Sequence, residues 1–75
     1  MNNKPNVWVT RHGDDWVVRR EGSQRASSRH DNQGDALDAG RQTARLEHVE
    51  LIWQGRDHKI QGRNSYGNDP YPPAG

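Results

Sequence analysis

The stretch from Asn32 to His48 constrains this chain most, because only small residues fall where its helix has to be buried. Asp31-Asn32 reads as a helix start: the Asn32 side chain accepts from the Asp35 N–H, and Asp35 sits where a capping-box acid belongs. Ala36, Gly40, Thr43 and Ala44 then recur on one stripe, with Leu37 and Leu46 at its margins. Asp38, Arg41, Gln42 and Arg45 fall on the opposite side, the 3.6-residue period of an amphipathic helix. The spacing predicts a helix from about Gln33 to His48. A stripe with so little bulk lets the helix come close to the surface it covers. Gly34 in the first turn departs from the pattern, since glycine is a poor helix former.

The flanking segments predict that this surface is a sheet. Val7 to Thr10 alternates in polarity, His12-Gly13-Asp14-Asp15 supplies turn chemistry, and Trp16 to Arg20 resumes a strand, which together read as a β-hairpin. Glu21-Gly22-Ser23 is the next turn, and Arg25 to His30 returns as a third antiparallel strand. After the helix, Val49 to Trp53 forms a fourth strand with Val49, Leu51 and Trp53 on one side. Gly55-Arg56-Asp57 turns the chain towards a fifth short strand around Lys59 to Gln61. Asn64 to Gly75 carries Pro70, Pro72 and Pro73 and is expected as an extended tail, pinned by Tyr66 and Tyr71. Met1 to Asn6 is expected to be a flexible lead. The fold class is therefore α+β, a single domain over 1–75: a small antiparallel sheet in the order β-β-β-α-β, with one helix packed on one face.

The core is thin. Leu, Ile and Val total 10 and there is no Phe, a content low enough to raise the question of disorder. A formal net charge of only +1 and the clustering of apolar residues in periodic runs, with three Trp among them, answer it in favour of a folded domain. A domain near the lower size limit for a single core gains from burying more apolar surface, which makes a homodimer an expectation. With no Cys there is neither a disulfide framework nor a thiolate metal site. Nothing approaches the ~20 apolar residues of a membrane span, and the polar start is no signal peptide, so a cytoplasmic protein is expected. The cations are nine Arg and two Lys, and Arg suits planar, stacked or bidentate recognition better than Lys does.

Trp16-Val17-Val18, Glu21-Gly22, Arg25-Ala26-Ser27-Ser28 and His30 carry a family resemblance. It continues through Ala36 to Gly55-Arg56-Asp57, Ile60 and Ser65-Tyr66-Gly67-Asn68-Asp69-Pro70, with Pro72-Pro73 closing the chain. On these residues the chain resembles the small bacterial family of domain of unknown function 2188, from about Val7 to Gly75. The resemblance implies a short, stand-alone protein and no particular activity.

Chemistry is sparse. His12, His30, His48 and His58, with Asp14, Asp15, Asp31 and Asp57, have no compact ligand spacing such as two His at i and i+4, so no metal site is expected. Ser27 or Ser28 with His30 would need an activating base held in place, a nucleophile elbow and an oxyanion loop, and no motif supplies the last two. The eight Gly are scattered and make no phosphate-cradling loop. No cofactor and no enzymatic activity are expected.

Parity along the strands then places the candidate site. Val7, Val9, Trp16, Val18, Ala26 and Ser28 share one face, under the helix. Trp8, Thr10, Val17, Arg19, Arg25, Ser27 and Arg29 share the other, left for solvent or a partner. Trp8, Val17, Arg19, Arg25 and Arg29 are the candidate binding residues. Trp and Arg are favoured at protein-interaction hot spots, which suits a protein partner or a second copy. The same Trp could stack on a base while Arg19, Arg25 and Arg29 reach phosphate, which leaves nucleic acid as the alternative. Near-neutral charge weighs against that alternative.

Overall fold

The computed structural model describes residues 5–66. Its order is β1 (Val7–His12), β2 (Asp15–Arg20), β3 (Ala26–His30), α1 (Gln33–Glu47), β4 (Glu50–Gln54) and β5 (Ile60–Ser65). The five strands form one sheet in the spatial order β3-β2-β1-β4-β5. The α+β class, the single helix on one face and the fifth strand all agree with the sequence. The sheet is mixed where an antiparallel one was expected: α1 returns the chain beside β1, so β4 pairs with β1 in parallel. Parallel neighbours need a crossover of a dozen or more residues, and α1 with its caps supplies it.

The helix begins and ends as its caps dictate. Asn32 is extended, and its Oδ1 accepts from the Asp35 N–H at 2.8 Å. At the other end His48 adopts φ 58° and donates its N–H to the Ala44 carbonyl, which stops the helix at Glu47. Ala36, Gly40 and Ala44 are buried, as the stripe requires, and Leu46 is 81% exposed. A methyl placed on Gly40 would lie 3.0 Å from both Leu51 Cδ1 and Val9 Cγ2, so the helix backbone rests almost directly on the sheet. Val7, Val9, Trp16, Val18, Val49 and Leu51 complete that core, flanked by Leu37, Trp53 and Tyr66.

α1 packs over β1 to β4 and makes no comparable contact with β5. Trp53 fills the space beside it, its indole lying over Gly62, where a Cβ would come within 2.5 Å of Cζ2. Both edge strands are bulged. The β2–β3 register slips between Val18 and Arg19, so Arg19 faces Ala26 and Ser27 is the additional residue. The β4–β5 register slips between Trp53 and Gln54, with Gln61 additional. The first bulge corrects the parity assigned to Ala26: it joins Arg19 on the face away from the helix, where it is exposed.

Within the described residues, the segments that flank the sheet are hydrogen-bonded to it. Asn6 accepts the Glu21 N–H on its carbonyl at 2.8 Å and the Glu50 N–H on its Oδ1 at 3.1 Å, tying β2 to β4 below β1. Asn64 and Ser65 belong to β5, and the Tyr66 N–H donates to the Val49 carbonyl at 3.3 Å. The expected role of Tyr71 and the prolines lies outside the described residues. Among those residues no helix is long and apolar enough to cross a membrane.

Candidate functional site

On the face away from α1, strand register sets the side chains out in rows. Ala26, Arg19, Trp8, Ile52 and Arg63 lie side by side across all five strands. The next row holds Arg29, Val17 and Thr10, continued by Gln54 and Ile60. On the other side of the Trp8 row stand Glu21, beyond the end of β2, and Glu50, at the start of β4. Thr10, Val17 and Ile52 are only 9%, 4% and 3% exposed, so they form a buried floor between taller neighbours. Long side chains lay their stems on such a floor and keep their charged ends in water.

Most of the polar ends on this face are already engaged. The Trp8 indole Nε1 donates to Glu21 Oε1 at 3.0 Å, which fixes the ring. Arg29 Nη1 pairs with Asp15 Oδ2 at 3.3 Å, and Arg63 Nη1 lies 3.8 Å from Glu50 Oε1. Arg19 is exposed, and its side chain makes no hydrogen bond or ion pair among the described residues. It stands between two shallow depressions. One of about 370 Å³ lies between Trp8, Arg19, Glu21, Gln54 and His58. A smaller one of about 110 Å³ is bordered by Val17, Arg19, Gln24 and Arg29. Neither is a closed cavity of the kind that swallows a small ligand.

The structure therefore brings Trp8, Val17, Arg19 and Arg29 onto one surface. Val17 serves there as floor and offers almost no side-chain area to a partner. Arg25 stands apart in the β2–β3 connection, where its N–H donates to Ser23 Oγ at 3.2 Å. Ile52, Glu50, Arg63 and Ile60 complete the face and were not foreseen. Strict alternation in β4 puts Glu50 and Ile52 opposite Leu51, but which strand they lie beside depends on the crossover.

The histidines do not converge. His12 ends β1, His48 caps α1, and His58 sits at φ 65° in the β4–β5 turn with Nε2 at 3.1 Å from the Arg11 carbonyl oxygen. His30 Nε2 and Ser28 Oγ lie 2.8 Å apart on edge strand β3, with no acid bonded to the imidazole among the described residues. Among those residues no cluster of three or more His, Asp and Glu forms a cradle for a metal ion. Arg20 points away from the rows to α1, where Nε donates to Glu47 Oε1 at 3.3 Å and Nη2 to Oε2. That hydrogen bond outweighs the opposing effect of burial and, with the added attraction of the carboxylate's charge, raises the Arg20 pKa.

No curated protein and no solved structure matches the chain. Residues 7–66, the whole of the sheet and helix, match the profile of a family of uncharacterised proteins conserved in bacteria, and the chain belongs to that family, domain of unknown function 2188.

Proposed function

We propose that this is a cytoplasmic, non-enzymatic interaction module that binds protein through the open face of its sheet. The observation that carries the reading is the face itself: Trp8, held by Glu21, beside Arg19, whose side chain is unpaired among the described residues, above the buried floor of Val17 and Ile52. A fixed aromatic next to an arginine is the composition of an interaction hot spot. Charge supports protein over nucleic acid. Tracking a phosphate backbone takes several uncommitted cations, and here Arg29 and Arg63 already have acids beside them. The bulges in both edge strands support the face over the edges, since a bulge disrupts the row of backbone groups that another strand would pair with.

Two matched positions test this. Ile60, on the open face, is 53% exposed, and Leu46, on the helix, is 81% exposed. A photoreactive benzophenone side chain placed at position 60 in cells is expected to give protein adducts, and one at position 46 to give none. Adducts to nucleic acid alone, or equal labelling from both positions, overturn the reading. So does salt-steep binding to duplex DNA or single-stranded RNA that an Arg19→Ala, Arg29→Ala double change abolishes.

A further inference from the structure

We infer that the protein seated on the open face is a second copy of this chain, placed by a two-fold axis that exchanges Arg19 with the partner's Glu50 and sets Trp8 against the partner's Ile52. This rests on the reading just proposed and names its occupant.

Charge balance is the first argument. The face carries Arg19, Arg29 and Arg63 against Asp15, Glu21 and Glu50, equal numbers of each sign. Such a face has no net attraction for a polyanion or a polycation, but it complements itself under a two-fold, where residue i meets j and j meets i. Among the described residues of this face, Arg19 is the cation whose side chain makes no ion pair, so the orientation is the one that gives it a carboxylate.

Three carboxylates are available, and the lattice of the sheet separates them. Strands lie ~4.8 Å apart and alternate residues on one face ~6.7 Å apart. Exchanging Arg19 with Glu21, its neighbour on the same strand, places the axis at the end of the sheet and leaves little overlap. Exchanging it with Asp15 places the axis along the row of Val17, which sets Trp8 against the partner's His12 instead of an apolar residue. It also competes with the 3.3 Å pair that Arg29 makes with Asp15. Glu50 is two strands and one row from Arg19, roughly 12 Å away, and its own partner Arg63 is held more loosely, at 3.8 Å. The axis that bisects this line lies in the plane of the face and passes between Trp8 and Ile52, which are adjacent in register. The aromatic and the aliphatic residue of each copy then meet at the centre of the contact, with the ion pairs around them.

Size sets the strength. Five strands of five or six residues project about 400 Å² per copy, roughly half of what each partner gives to a standard stable interface. The dimer is therefore a weak one, in exchange with the monomer.

Sedimentation of the intact chain from micromolar to millimolar concentration tests the inference. The mass is expected to rise from one chain towards two. R19E and E50R are each expected to associate about tenfold more weakly or worse, because like charges meet twice in each homodimer. An equimolar mixture of the two is expected to recover the two-chain mass, since one chain is then negative and the other positive at both positions. Circular dichroism of each variant establishes that the fold is kept. A wild-type chain that stays single at every concentration overturns the inference. So do variants that dimerise like wild type, or a mixture that fails to recover. Failure of this reading and of the broader one are told apart by the adducts from position 60: another protein there removes the second copy and leaves the module, whereas nucleic acid removes both.

Discussion

Gly40 and Leu51 are separated by less than a methyl group: a Cβ on Gly40 would stand 3.0 Å from Leu51 Cδ1 and equally close to Val9 Cγ2. Both neighbours are fully buried and packed between helix and sheet, so neither has room to withdraw. Gly40→Ala gains about 1 kcal/mol of helix propensity and incurs about 1–3 kcal/mol of overpacking. We expect a net loss of about 1 kcal/mol, read as a lower urea midpoint at unchanged slope.

Gly34 provides the control. It lies exposed in the first turn of α1, and a methyl there would meet only the Asn32 side-chain oxygen, at 3.4 Å, an ordinary contact. The same Gly→Ala change is expected to stabilise the domain by about 0.5–1 kcal/mol, through helix propensity and a less flexible unfolded chain. Opposite signs for the two substitutions in one thermal-denaturation series establish that close packing, and not propensity, fixes Gly40.

The helix was legible because its signals are local. Asn32, Asp35 and the small stripe lie within one segment, and cap and period agree. The first three strands were legible for the same reason. What the sequence left open depends on contacts across the chain. The place of β4 beside β1 is set by the crossover, and no residue in Glu50–Gln54 announces its neighbour. The bulge that turns Ala26 outward arises where β3 is matched to β2, so counting by twos from His30 misassigns it. In the candidate site, Trp8, Arg19 and Arg29 followed from alternation alone. Val17 was placed on the correct face, yet its burial comes from flanking side chains that a parity rule does not see.

Trp53 and Gly62 give a spectroscopic test of how β5 is held. The indole covers the glycine so closely that a Cβ would lie 2.5 Å from Cζ2 and 2.9 Å from Cε2. Gly62→Ala must lift the ring from the strand, exposing a side chain that is now half-buried against the core. We expect about 1–2 kcal/mol of destabilisation, in the range for forced repacking, together with a red shift of tryptophan emission. Unchanged emission would mean that the ring is not seated there.

Arg20 and Glu47 tie the end of β2 to the last turn of α1 through two hydrogen bonds. The arginine side chain is 39% exposed, so solvent screening holds the pair to about 0.5–1 kcal/mol. Its pH dependence follows from the raised Arg20 pKa. A raised value means that the folded state holds the proton more tightly, so this stability is fully present below arginine's ordinary range and is lost only as pH climbs through the folded value. Arg20→Ala is therefore expected to lower stability by a similar amount at neutral and at mildly alkaline pH, with the difference shrinking in high salt. Denaturant titrations of wild type and variant across that range check it. A gap that closes between neutral and mildly alkaline pH would assign the loss to another group.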